Sequence, residues 1–449
     1  MATLVVSPIH GPLHGSVRIP SDKSIGHRAL LFGALAEGKS TISAFAPGGD
    51  NVSTANALRA MGVTIDQPES EVVHVTGVGV FGLNEPISDL DCGNSGTTMR
   101  MLAGILAGQR FAARMVGDES LSKRPMMRIL GPLRARGAIA KGAPHPTKAG
   151  EVTAPLLIGP LSPNSYLREI EYQSPVASAQ VKSALLLSGL YAHGATFVRE
   201  PAVSRDHTER MLLTMGAPLK TYGPIVKLDP GGWNGKLEPL SIEVPGDVSA
   251  AAFLLVAAQL VTGSRVTVRH VGLNPTRTGL LEIARDMQAG LTIEPQGDCG
   301  GEPIGAIHAW PGDLLATTIG GEVITRAIDE VPILCALAVR ARGVTTIRDA
   351  AELRVKESDR IATMVGVLRA FGVECAELED GLSIEGVTEP LCAAEIDSHG
   401  DHRIAMTASI LGLIANGTTV IRNADCIATS FPKFVGTMRA LGAEMSVEA

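Results

Sequence analysis

The pattern of apolar and polar positions repeats six times along the chain. Each time a short, almost wholly apolar run precedes a β-prone stretch: 25–38 then 39–45, 99–108 then 109–116, 181–194 then 195–198, 250–263 then 264–271, 332–343 then 344–347, and 404–417 then 418–421. A second, amphipathic run recurs and stops at Gly62, Gly137, Gly216, Gly290, Gly372 and Gly442, at intervals of roughly 75 residues. Each unit therefore reads strand, helix, strand, helix, then strands. A helix that is apolar on all sides is buried on all sides, so the first run predicts an inner helix. The amphipathic second run belongs outside it, with sheet packed against it. Crossover and hairpin connections alternate, which predicts mixed sheets. The expected fold class is α/β, with buried central helices in repeated βαβαββ-like units.

A chain of 449 residues is too long for one core. Six units divide into two domains of three. ArgIleProSerAsp at 18–22 and GluValProGlyAsp at 243–247 look like two crossings of one hinge, near 20 and 245. The expected domains are 21–244, and 1–20 together with 245–449. A cleft between them is then the default ligand site.

Composition narrows the class. No apolar stretch approaches 18 uninterrupted residues, and the N-terminus has no basic region followed by an apolar core, so neither a membrane span nor a signal peptide is expected. The six cysteines form no CxxC pair and have no His at metal-ligand spacing. They read as reduced thiols of a cytoplasmic protein with no metal site. A net charge of −7 argues against nucleic-acid binding and makes a local cluster of cations more informative.

Two motifs are decoys. Gly33 to Ser40 matches a phosphate-binding loop, but a helix precedes it and a strand follows, the reverse of the order that gives the motif its mechanism. Gly77, Gly79 and Gly82 match a dinucleotide fingerprint, but Pro86 follows where a helix would be needed.

The copies differ in what precedes their helices. Ser, Asp and Asn there are ordinary N-caps, which explains Asp247 and Ser249. Lys23, Lys123, Arg124, Arg205, Arg277, Lys356, Arg360 and Arg403 are not explained that way, because a helix start is already positive. Anionic ligands between them resolve the conflict: free backbone N–H groups and Arg forks bind phosphate and carboxylate together. Asp329 and Glu357 lie beside these cations and read as proton-transfer groups, and His27, His207 and His402 as hydrogen-bonding scaffold.

Eight segments then identify a resemblance that covers 18 to about 435: 21–29, 93–97, 123–126, 178–182, 205–209, 274–277, 353–360 and 401–406. Together they strongly resemble the 5-enolpyruvylshikimate-3-phosphate synthases, in the form of the class II bacterial branch. The resemblance implies an enolpyruvyl-transferase inside-out barrel fold. It also implies transfer of the enolpyruvyl group of phosphoenolpyruvate to the 5-hydroxyl of shikimate 3-phosphate, releasing phosphate, without cofactor. Shikimate 3-phosphate would meet Lys23, Ser24, Arg28, Ser178, Ala179, Gln180, Arg205, Asp329 and Lys356. Phosphoenolpyruvate would meet Lys23, Gly96, Arg124, Gln180, Arg360 and Arg403. Asp329 would deprotonate the hydroxyl, Glu357 would protonate the methylene carbon, and Lys23 would share the proton work. Domain closure would exclude water. A monomer acting on small molecules, without nucleic acid or membrane, is expected.

Three positions depart from the family pattern. Ser21 stands where many members have Gly, Ala179 where other branches have Ser, and Thr429 where other branches have Lys. Gly96 stands where Ala narrows the phosphoenolpyruvate pocket of glyphosate-tolerant members, so a roomier, glyphosate-sensitive pocket is expected. The sibling reading is a UDP-N-acetylglucosamine enolpyruvyl transferase, whose motifs match less well. A non-catalytic repeat scaffold is the reading from another class.

Overall fold

The computed structural model describes residues 2–46 and 48–448. It comprises two compact units, one of 1–20, 245–298 and 303–449, the other of 21–244 and 299–302. Each unit has its own hydrophobic core.

Among the described residues the six repeats appear as six four-stranded sheets. The sheet of 167–228 shows the pattern without interruption. Strand Leu167–Gln173 runs parallel to Ala192–Arg199, and Ala192–Arg199 is antiparallel to Ile225–Leu228. The hairpin partner Leu219–Tyr222 closes the edge. The parallel pair needs a crossover, which the buried helix Ala179–Gly189 supplies.

Two sheets take their parallel first strand from a distant part of the chain. Ser241–Glu243 pairs with Glu37–Ser43, and His14–Val17 pairs with Arg265–Gly272. In a third, Thr3–Val6 lies between Thr419–Arg422 and Met445–Glu448. The backbone N–H of Asp247 donates to the carbonyl of Pro20 at 2.9 Å, which ties the two segments that leave these first strands.

The apolar runs form the inner helices Lys23–Leu35, Gly96–Leu106, Ala179–Gly189, Val248–Leu260, Val331–Ala338 and His402–Gly412. Every residue of Val248–Leu260 is buried. In the other unit, Gly96–Leu106 and Ala179–Gly189 approach so closely that a Cβ on Gly104 would stand 2.3 Å from the carbonyl oxygen of Ala184. Glycine is required there by contact.

The glycines ending the two runs prove to have different roles. Those of the inner runs lie beyond the helix: Gly38 is inside strand Glu37–Ser43, and Gly343 is five residues past Ala338. Those of the outer runs are true C-terminal caps. Val63 N–H reaches back to the carbonyl of Leu58 and Ala138 N–H to that of Leu133, with Gly62 and Gly137 at positive φ between them. The fourth unit departs from this. Ala289 N–H closes the same bond to Ala284, so the left-handed residue is Gln288 at φ 61°, while Gly290 begins a strand.

The phosphate-loop decoy resolves as the chain order predicts: a helix ends at Leu35 and a strand begins at Glu37. No helix among the described residues is long and apolar enough to cross a membrane.

Candidate active site

Each unit gathers one set of the residues singled out above. In the unit containing 21–244, Lys23 is the first residue of its helix, whose N-cap Asp22 accepts from the N–H of Ile25 at 3.0 Å. Lys23 Nζ lies 2.9 Å from Asp50 Oδ2. Burial pushes the Asp50 carboxyl up, but Lys23 and His27 outweigh it and hold it below the ordinary value. Ser21 uses its hydroxyl to accept from Ala46 N–H at 2.8 Å, so the departure at 21 anchors the neighbouring loop.

Arg28 is 2% exposed and sits beneath this helix start. It donates to Thr208 Oγ1 at 2.7 Å, to Ser183 Oγ at 3.0 Å and to the carbonyl of Ser24 at 2.9 Å. Burial lowers its pKa to about 10, still far above neutrality, so it remains a cation. His27 bonds Thr54 at 2.7 Å, and burial pushes its pKa down to about 3, so its ring is neutral at physiological pH.

Gly96 opens its helix with Ser95 as the cap. A Cβ built on Gly96 would stand 3.2 Å from Arg100 Nη1 and 3.5 Å from Arg124 Nη1. The glycine therefore faces two guanidinium groups. Arg124 donates to Asn94 Oδ1 at 2.6 Å. Gln180 bonds Arg100 through its carbonyl and Thr97 Oγ1 at 3.0 Å through its amide. Ser178 and Ala179 begin the same helix as Gln180, and the Ser178 N–H donates to Glu200 at 2.8 Å. Arg205 lies half-buried two residues before helix His207–Thr214.

In the other unit, Asp329 lies in a single 3-10 turn ahead of helix Val331–Ala338. Lys356 Nζ is 3.8 Å and Arg360 Nη1 3.5 Å from Asp329 Oδ1, and Arg403 donates to the Asp329 carbonyl at 2.7 Å. Arg360 is a hub. Its Nε reaches Asp401 Oδ2 at 2.8 Å and its Nη2 reaches Glu357 Oε2 at 2.6 Å. Burial pushes Glu357 up, but Arg360 and His402 overcome it and bring its pKa to about 2. Burial lowers His402 to about 3.

The structure brings Asp329, Lys356, Glu357, Arg360 and Arg403 together, and in the other unit Lys23, Ser24 and Arg28, and Gly96, Arg124 and Gln180. Lys23, Arg360 and Arg403 lie in the first turns of helices. Two of the sequence-derived cations take other roles: Arg277 is 3% exposed and bonds Asp247 and Ser249, and Lys123 pairs with Glu119 at the surface. The expectation that ligands resolve all the misplaced cations is thus corrected. Protein carboxylates supply part of the counter-charge.

Three residues escaped the sequence reading. Arg100 was signalled by a charge inside an apolar run. Asp401 reads as a simple helix cap, and it is one, accepting from Arg403 N–H at 2.9 Å, but it also anchors Arg360. Glu330, 1% exposed, bonds Ser249 and lies 3.7 Å from Arg403. Thr429 is exposed at the end of its own 3-10 segment. Among the described residues no group of three His, Cys, Asp or Glu side chains is arranged to hold a metal ion.

The family model described as EPSP synthase (3-phosphoshikimate 1-carboxyvinyltransferase) matches residues 8–438. The 3-phosphoshikimate 1-carboxyvinyltransferase of Citrifermentans bemidjiense is 48% identical over 430 residues, 96% of this chain and 97% of that protein. That of Desulforamulus reducens is 47% identical over 97% of this chain and 98% of its own. The solved structure of EPSP synthase from Acinetobacter baumannii superposes with a TM-score of 0.89 at 43% identity, covering all of both chains.

Proposed function

We infer the roles of the site residues from one established fact: the chain belongs to the EPSP synthase (3-phosphoshikimate 1-carboxyvinyltransferase) family. It transfers the enolpyruvyl group of phosphoenolpyruvate to the 5-hydroxyl of shikimate 3-phosphate and releases phosphate, in the shikimate route to aromatic amino acids. The residue assignments below are proposals built on that reaction.

Asp329 is the base that takes the proton of the 5-hydroxyl. The observation that carries this role is a carboxylate only partly exposed (17%) and flanked by Lys356 and Arg360, which favour its anion. The hydroxyl oxygen then bonds to carbon 2 of phosphoenolpyruvate while the methylene carbon gains a proton. Elimination removes a proton from that carbon, breaks the bond to the phosphate oxygen and releases phosphate. Glu357 is the acid that protonates the methylene carbon and takes the proton back in the elimination. In the free protein Arg360 keeps it ionised, so it must first gain a proton. An anionic substrate that draws the Arg360 fork removes part of that restraint.

Lys23 neutralises developing charge and shares the proton work. Phosphoenolpyruvate meets Lys23, Gly96, Arg124, Gln180, Arg360 and Arg403, and Arg100 joins them. Shikimate 3-phosphate meets Lys23, Ser24, Ser178, Ala179, Gln180, Arg205, Asp329 and Lys356, with Arg28 acting from beneath. Gly96 leaves room for glyphosate beside the two guanidinium groups. The protein works as a cytoplasmic monomer. The class II motif forms support placement in that branch.

A phosphate-release assay with each acceptor tests the acceptor choice. Release with phosphoenolpyruvate and shikimate 3-phosphate, and none with UDP-N-acetylglucosamine, is the expected result. The reverse would assign the chain to the sibling activity.

A further inference from the structure

One buried charge cluster is left unused by these roles. Lys182, one turn into helix Ala179–Gly189, has a side chain 1% exposed. Its ammonium has three donors and three acceptors within reach: Glu209 Oε1 at 2.7 Å, Glu200 Oε2 at 2.9 Å and the Ser204 carbonyl at 3.2 Å. A cation with every proton directed is a fixed strut rather than a mobile charge.

Glu200 makes the strut consequential. It follows directly on strand Ala192–Arg199, and its backbone N–H is pinned to the Pro224 carbonyl at 2.9 Å. One carboxylate oxygen accepts from the Ser178 N–H at 2.8 Å. The other accepts from the Ser204 hydroxyl at 2.8 Å and the Ser204 N–H at 3.3 Å. A single buried carboxylate therefore sets the position of two separate segments: the helix start bearing Ser178 and Gln180, and the loop that leads into Arg205.

The charge balance explains why the cluster persists in the interior. Lys182 faces two carboxylates, and burial raises the Glu209 pKa against the pull of Lys182, which limits the excess negative charge. In this way the cluster avoids the cost of an isolated buried charge.

We infer that Glu200, held by Lys182, is a positioning residue for shikimate 3-phosphate: it fixes Ser178 and Arg205 in one register and touches no substrate itself. This rests on the proposal that Ser178 and Arg205 contact that substrate. A site built from a helix start and a loop loses affinity for shikimate 3-phosphate when the carboxylate that joins them is lost, and loses less for phosphoenolpyruvate, which of these residues meets Gln180 alone.

The test is steady-state kinetics of Glu200→Gln and Ser204→Ala beside Ser178→Ala and Arg205→Ala. In Glu200→Gln an amide donor replaces the acceptor facing Ser204 and Lys182. Its KM for shikimate 3-phosphate rises ten- to a hundredfold, with kcat within about threefold of wild type and a smaller rise in the KM for phosphoenolpyruvate, which shares Gln180. Ser204→Ala, which removes one of the joined bonds, raises the same KM three- to tenfold. It decides the matter alone if Glu200→Gln does not fold. A merely structural cluster would lower the melting temperature and leave the KM values of the folded protein in place; that result overturns the inference. If Ser178→Ala and Arg205→Ala leave the shikimate 3-phosphate KM unchanged, the underlying contact assignment fails, and the inference with it. If they raise it while Glu200→Gln and Ser204→Ala do not, the contact assignment stands and the inference alone fails.

Discussion

Glu357 Oε2 lies 2.6 Å from Nη2 of Arg360, three residues along the chain. That contact decides the protonation state of the group proposed to protonate carbon. Burial acts to raise the Glu357 pKa, but Arg360 and His402 prevail and bring it from 4.5 to about 2.

The sign of this shift gives a stability prediction. A carboxyl whose folded pKa is depressed stabilises the fold fully above its unfolded pKa, and that stabilisation is lost as pH falls from about 4.5 towards 2. Urea unfolding of wild type and Glu357→Gln from pH 7 downward should show their stability difference shrinking below about pH 4.5. A difference that stays constant over that range would separate Glu357 from the Arg360 field.

Gly96 gives a steric prediction. A methyl group there would meet Arg100 Nη1 at 3.2 Å, close enough to displace that guanidinium by a few tenths of an ångström, and would stand in ordinary van der Waals contact with Arg124 Nη1 at 3.5 Å. Gly96→Ala should fold normally, raise the KM for phosphoenolpyruvate several-fold and raise the glyphosate inhibition constant by a larger factor. Equal glyphosate inhibition constants in the two proteins would show that this face of Gly96 does not line the pocket.

The two buried imidazoles give a spectroscopic prediction. Burial places His27 and His402 at about 3, so both are neutral through the physiological range. Their ring proton resonances should not titrate between about pH 5 and 8. Because the folded pKa is below the ordinary 6.5, each removes stability as pH falls below that value. A histidine midpoint near 6.5 assigned to either residue would contradict its environment.

Much of the architecture was legible because it repeats. Six inner runs without polar faces could only be buried helices, and six amphipathic runs closing on a left-handed residue marked the outer ones. The first-turn cations Lys23, Arg360 and Arg403 were legible because they violate helix electrostatics. The site's internal counter-ions were not. Asp401 looks like any N-cap, and nothing local distinguishes Glu330 from an ordinary first-turn acid, because their partners Arg360 and Arg403 are distant in sequence or belong to another helix. Arg277 was misread for the same reason: its partner Asp247 is 30 residues away.

Gln288 is a local exception that chemistry can correct. It holds φ 61° where Gly62, Gly137, Gly216, Gly372 and Gly442 occupy the matching cap. A left-handed conformation costs a non-glycine residue about 1–2 kcal/mol, partly offset by the greater chain entropy glycine loses on folding. Gln288→Gly should therefore stabilise the protein by about 0.5–1 kcal/mol, seen as a higher urea midpoint at unchanged slope. A lower midpoint would mean that the Gln288 side chain contributes more than its backbone costs.

The central claim is that Lys23, Asp329 and Glu357 carry the proton transfers proposed for the enolpyruvyl transfer. The most direct measurement is the rate of phosphate release from phosphoenolpyruvate and shikimate 3-phosphate by wild type and by Lys23→Ala/Asp329→Ala/Glu357→Ala, both checked for folding by circular dichroism. The predicted result is a folded variant whose turnover is at least about 10⁴-fold below wild type, as expected when proton-transfer groups worth about 10²–10⁴ each are removed together. A folded triple variant that keeps turnover within tenfold of wild type would contradict the account.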